Sequence, residues 1–166
     1  MNSEEQQCFM QIAVNLSQYS VDSNTGGPFG AVIVKNGNIV GTSLSQIYQE
    51  QKPETHAEVR AIRDACRNLK TLDLSGCQIY SSSEPCPMCL AVIYWAQISE
   101  IYYCNSENKI KSFGYINNCV ANAQQRPKVR SFINAVQIPE SKALSVFEGG
   151  KQKQNRVEEV VIPQER

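Results

Sequence analysis

The chain contains a single histidine, and it stands in Thr55-His56-Ala57-Glu58. Further along, Pro85-Cys86-Pro87-Met88-Cys89 supplies two cysteines one helical turn apart. Zinc takes neutral imidazole and thiolate ligands in a tetrahedron, and a catalytic site keeps one position for water. His56, Cys86 and Cys89 would fill the other three. No second histidine exists to close the shell. A further cysteine could close it, but Cys8, Cys66, Cys77, Cys104 and Cys119 share no C-x-x-C or C-x-H spacing with these three. The spacing therefore predicts an open site, where water has a pKa of roughly 7 and hydroxide is available at neutral pH. Glu58 is too close to His56 to be a comfortable fourth ligand and is placed instead to carry protons to and from that water.

Two other readings use fewer of these residues. A C-x-x-C pair alone could be a redox couple or half of a structural zinc site. A redox couple leaves His56 and Glu58 without a role. A structural zinc in a non-catalytic binding protein calls for a closed shell and has no use for Glu58. The conjunction favours a catalytic zinc: the only histidine falls at H-x-E, a proline precedes the first cysteine, and both segments read as helix starts.

These residues need a scaffold to meet. Ser3-Glu4-Glu5-Gln6 reads as a capping box, and Phe9, Ile12, Ala13 and Leu16 predict an amphipathic helix over 4–19. After a loop at Asn24 to Pro28, Ala31 to Val34 reads as a strand. Asn36-Gly37 is a hairpin turn, and Asn38 to Leu44 returns as a second strand. Residues 45–53 are polar and turn-like. A helix starting near Pro53-Glu54 carries the first motif, with Ala57, Ala61, Ile62, Ala65 and Leu69 on its apolar face. Cys77 to Ser81 is a third strand. Residues 87–96 are almost wholly apolar and read as a buried helix. Glu100 to Cys104 is a fourth strand, Phe132 to Ile138 a fifth, and Glu140 to Phe147 a last helix. From Gly149 the chain reads as a polar, fraying tail.

This order predicts an α/β fold, one domain over residues 1–166 with helices on both faces of a sheet. Two helices then begin side by side at the sheet edge, one bringing His56 and Glu58, the other Cys86 and Cys89. Their N-terminal dipoles favour thiolate and hydroxide.

Composition narrows the setting. Sixteen basic residues balance sixteen acidic ones, so no global field draws the chain to nucleic acid or an anionic membrane. The short basic clusters, Arg126, Lys128 and Arg130 and then Lys151, Lys153 and Arg156, read as solvated surface. Hydrophobic runs stay far below the ~20 residues of a membrane span. The segment Met1 to Gln6 is polar and acidic, unlike a secretory signal. Seven cysteines, two of them assigned to metal, suit a reducing cytoplasm, the other five serving as small buried hydrophobes.

The H-x-E and P-C-x-x-C pairing is the signature of zinc-dependent nucleobase deaminases. The chain resembles the cytidine deaminase superfamily and, within it, bacterial guanine deaminases and the wider nucleoside and nucleobase deaminase group. The likeness is carried by Gly26 to Val34, by Thr55 to Glu58, and by Ser83 to Leu90 with Ile93-Tyr94-Trp95-Ala96. It implies a three-layer α/β/α sandwich around a mixed five-stranded sheet, a Zn2+ cofactor, and usually a homodimer. It implies hydrolysis of an amino-substituted base or nucleoside to its oxo product and ammonia, with Glu58 as the catalytic residue. It also points to Ser45, Ala57, Phe29, Trp95 and Asn117 as substrate-binding positions, Phe29 and Trp95 as apolar walls for a planar ring.

Two positions depart from the family pattern. An Asn whose amide reads the substrate ring usually stands where this chain has Ser45, and serine cannot make the same two-point contact. Guanine deaminases tend to carry an acidic pair after a Gly-aromatic step; here Gly114-Tyr115 is followed by Ile116-Asn117. Poor guanine turnover is expected, with a better substrate among related amino-heterocycles. The transfer-RNA adenosine deaminase branch is the rival, and neutral net charge favours a small molecule over it.

Overall fold

The computed structural model describes residues 1–115 and 133–154. Asn117, Cys119, Arg126, Lys128, Arg130 and Arg156 lie outside the described residues. The first helix, α1 (Ser3–Ser23), is capped one residue earlier than the sequence suggests. Asn2 Oδ1 accepts from the Glu5 amide at 2.8 Å, and the Asn2 amide donates to the Glu5 carboxylate at 3.0 Å. Asn caps at least as well as Ser, so the box forms around Asn2.

Strands β1 (Gly30–Lys35) and β2 (Asn38–Leu44) form an antiparallel hairpin. Asn36 and Gly37 turn it with φ of 50° and 75°, the left-handed pair that a two-residue hairpin loop requires. A short helix, α2 (Ile47–Glu50), occupies part of the stretch expected to be turn-like. Helix α3 (Ala57–Leu69) starts later than Pro53-Glu54, because His56 is extended (φ −64°, ψ 155°) and serves as N-cap. Then follow β3 (Cys77–Ser83), α4 (Pro87–Trp95), β4 (Glu100–Asn105), α5 (Glu107–Ser112), β5 (Asn134–Gln137) and α6 (Ala143–Gln154). The sheet order is β2-β1-β3-β4-β5. β3 runs antiparallel to β1, and β4 and β5 continue parallel to β3. The expected mixed five-stranded α/β sandwich is what forms.

Alternation along the strands feeds two apolar layers. Ala31, Ile33, Ile79 and Ile101 face α3 and α4, meeting Ala57, Ala61, Ile62 and Ile93. Val32, Val34, Tyr80 and Cys104 face the other way, meeting Met10, Ala13 and Val14 of α1 and Ala143 and Val146 of α6. Two glycines bring helices close on opposite faces. A Cβ on Gly30 would lie 2.3 Å from the Ala13 carbonyl of α1, and one on Gly41 would lie 2.5 Å from the Ala61 carbonyl of α3.

Three further expectations change. Helix α4 is not buried: Cys89 and Ile93 face the core, while Met88, Tyr94 and Trp95 are exposed, Trp95 to 81%. The polar segment from Gly149 does not fray at its start, since α6 stays helical to Gln154. Gly150 is buried there, and a Cβ on it would meet the Tyr115 hydroxyl at 2.6 Å; close packing outweighs a glycine penalty of about 1 kcal/mol. Among the described residues the cysteines are free, and Cys77 and Cys104 are buried as expected, but Cys8 is exposed. Among the described residues no helix is long and apolar enough to cross a membrane.

Candidate active site

His56 and Cys86 hold the same structural post on two helices. Each is the extended N-cap residue, of α3 and α4 respectively. Pro87 follows Cys86 at the first helical position, where its missing N–H costs nothing, and the Cys89 amide donates to Cys86 Sγ at 3.5 Å. His56 makes no side-chain cap bond, so its ring is free to turn toward the cysteines. His56 Nδ1 lies 3.7 Å from Cys86 Sγ and 3.6 Å from Cys89 Sγ, and the three donors lie within 4.8 Å of one another. Thiolate and imidazole donors held at about 2.3 and about 2.05 Å from one tetrahedral zinc stand about 3.6 Å apart. The donor set therefore fits zinc in both chemistry and spacing, and no fourth side-chain donor joins it among the described residues.

Glu58 sits in the first turn of α3, only 4% exposed. Ser81 Oγ donates to its Oε1 at 2.9 Å, and the Cys89 thiol approaches its Oε2 at 3.4 Å. Burial pushes the Glu58 carboxyl above the usual carboxylate range. The two thiols are driven apart. A hydrogen bond from Cys89, aided by His56, brings Cys86 down to about 4. The same bond, with burial, holds Cys89 well above its ordinary value. The hydrogen bond with Cys86 raises His56 against the opposing effect of burial.

The loop ahead of β1 closes against the segment leading to His56. Ser45 is buried; its amide donates to the Phe29 carbonyl at 3.0 Å, and its carbonyl accepts from Ser20 Oγ and Thr25 Oγ1, each at 3.0 Å. A Cβ on Gly26 would fall 2.4 Å from Ser45 Oγ, so the hydroxyl lies packed over the Gly26 backbone. The Gln46 amide donates to the Thr55 carbonyl at 3.3 Å, tying Ser45 to the zinc motif. Arg60 of α3 holds the same segment through Glu50 and Ser43.

Phe29 is half-buried and meets Tyr115 and Phe147 edge-on, with centroids 6.0 and 5.6 Å away. Burial raises the Tyr115 phenol to about 12. Ala57 is fully buried in the core layer between sheet and helices. It opens α3, where a first-turn N–H has no intrahelical acceptor. Trp95 is not brought to this site within the chain. It lies at the other end of α4, roughly 13 Å along the axis from Cys86 at 1.5 Å per residue. An apolar run does not say which neighbour it is apolar for. Ser81 carries no signal in the sequence beyond the Ser81-Ser82-Ser83 run leading into Glu84-Pro85-Cys86.

A zinc donor triad at two helix N-termini, with a buried carboxylate beside it, is the architecture of one class of enzyme. The sequence model of the cytidine and deoxycytidylate deaminase zinc-binding region matches residues 3–105, and the chain belongs to that family of zinc-dependent hydrolytic deaminases. Among its relatives, guanine deaminase of Bacillus subtilis (strain 168) is 35% identical over 150 residues, 90% of this chain and 96% of that protein. The X-ray structure of guanine deaminase from Bacillus subtilis matches with a TM-score of 0.69 at 33% identity, covering 99% of each chain. A tRNA-specific adenosine deaminase of Aquifex aeolicus (strain VF5) is 37% identical over 82 residues, 49% of this chain and 54% of that protein.

Proposed function

We propose that this chain hydrolyses the amino group from a small purine or related planar base, with Glu58 as the proton carrier. The observation that carries the reading is the placing of buried Glu58 beside three donors spaced for zinc. His56 Nδ1 and the sulfurs of Cys86 and Cys89 would hold the ion, which when bound acts as a Lewis acid and activates water. Ser81 fixes one oxygen of Glu58 and leaves the other on the donor side. Glu58 takes a proton from the attacking water and passes it to the ring nitrogen, then takes the second proton from the added hydroxyl and delivers it to the leaving amine as the C–N bond breaks and the oxo group forms. Water and amino-heterocycle become oxo product and ammonia. Burial suits this cycle, because a carboxyl raised above its usual range holds a proton more readily between the two transfers.

Phe29 and the Ala57 amide would contact the base, Ser45 and Asn117 standing where the family's base-reading side chains do. Ser45 is shorter than the family's asparagine and is committed to packing against Gly26. Guanine is therefore expected to be turned over at least tenfold less efficiently than the best substrate, because unmatched buried polar groups discriminate strongly. The test is ammonia release from zinc-loaded protein with purines, pyrimidines, nucleosides, pterins and transfer RNA. If guanine outpaces every other compound, Ser45 and Asn117 do not alter specificity. Release from transfer RNA alone would move the chain to the adenosine-editing branch, and no release from any compound would end the deaminase reading for this chain.

The family's homodimer has a suitable surface here. Met88, Tyr94 and Trp95 lie exposed on one helix, and aromatic residues and methionine are enriched at the centres of interfaces. A second copy across α4 would cover them. Trp95→Glu should then convert a dimer to a monomer in light scattering, with zinc content unchanged; a wild-type chain that stays monomeric at high concentration would defeat the proposal. Thiolate donors, and cysteines that are free among the described residues, suit the cytoplasm.

A further inference from the structure

One buried polar group on the site's side of the sheet has no use in the mechanism above. Ser83 is 2% exposed, and its hydroxyl has no hydrogen-bond partner among the described residues. Its neighbours in the serine run are both committed. Ser81 donates to Glu58 at 2.9 Å, and Ser82, on the opposite face, accepts from the Gly30 amide at 3.0 Å. Side chains alternate along a strand, so Ser83 shares the face of Ser81 and Ile79, the face covered by α3 and α4. It stands roughly 6.6 Å beyond Ser81 toward the C-terminal end of β3, and the chain turns there through Glu84-Pro85 into Cys86. Ligands of α/β sheets bind beyond the C-terminal ends of the parallel strands, and β3 and β4 are such a pair, with Ser83 opposite Asn105.

A hydroxyl buried without a partner destabilises the fold, and an orphan of this kind in a folded chain calls for a reason such as a role in function. We propose that Ser83 is a specificity-determining residue of this deaminase, its hydroxyl hydrogen-bonding a polar edge of the bound heterocycle. The inference rests on the deaminase reading above. A hydroxyl both donates and accepts, so it can pair with a ring nitrogen, an oxo group or an amino group. It adds a polar reader on the sheet side of the ring, while Ser45 is turned to Gly26.

The experiment compares zinc-loaded wild type with Ser83→Ala and Ser83→Thr on the base the wild type uses best, measuring kcat and KM separately, together with Tm and zinc content. Ser83→Ala should raise KM at least tenfold with kcat within threefold, leave one zinc per chain, and leave Tm unchanged or higher. Ser83→Thr, which keeps the hydroxyl, should restore KM to within threefold. KM unchanged within twofold, a lowered Tm with intact kinetics, a fall in kcat alone, or loss of zinc would each overturn the inference. Should the wild type release ammonia from no base, the deaminase reading fails by that result. Guanine binding by calorimetry then decides the role of Ser83: binding at least tenfold weaker in Ser83→Ala supports it, and equal or absent binding overturns it.

Discussion

Replacing Glu58 by Gln is expected to lower turnover at least ~10²-fold, the low end for acid–base catalysis, while zinc stays at one per chain. Gln keeps the size of the side chain and can still accept from Ser81 Oγ, which lies 2.9 Å from the carboxylate. What it loses is the ability to take up and return a proton. The fall should appear in kcat for every substrate that turns over, because the proton carrier serves the reaction whatever ring is bound. Ammonia release and elemental analysis on the same preparation check both halves. Near wild-type turnover in Glu58→Gln would remove Glu58 from the mechanism.

Loss of a donor should be more severe. Cys89 is buried, half of the C-x-x-C pair, and 3.6 Å from His56 Nδ1. In Cys89→Ala two donors remain, zinc should drop below half an equivalent, and turnover should fall to background. Chelation of the wild type should give the same loss, reversed by added zinc. Zinc ligands bind only when deprotonated. Hydrogen bonding and burial keep the Cys89 proton on well above the ordinary thiol range, so zinc must displace it. Zinc affinity is thus expected to weaken as pH falls, in competition with a chromophoric chelator at pH 6 and 8. Full zinc occupancy in Cys89→Ala, or affinity that rises on acidification, would contradict the assignment of donors.

The metal donors were legible because they are local. One histidine at H-x-E and a proline-led C-x-x-C each fix geometry within a single helix start, whatever the rest of the fold does. The Asn36-Gly37 hairpin was legible for the same reason, since only left-handed residues make that turn. Features set by distant contacts were not. Composition ends the third strand at Ser81, whereas pairing of Ser83 with Asn105 carries it on. Nothing in the order of residues says that Ser45 lies over Gly26, a contact between two loops. The apolar run of α4 promised burial, but hydrophobicity alone does not say which side of a helix meets the core and which stays exposed. The start of α3 lies beyond Pro53-Glu54 because His56 is extended and takes the N-cap post.

The position of β3 between the two motif helices has a consequence for how the molecule matures. Glu58 meets Ser81 only when β3 pairs with β1 in the register Ala31↔Ser81, and Cys86 follows that strand by three residues. A slip of one residue would turn every β3 side chain to the opposite face, taking Ser81 from Glu58 and shifting both cysteines away from His56. A mispaired chain would hold the two motifs apart, so zinc retention is expected to depend on correct pairing of β3.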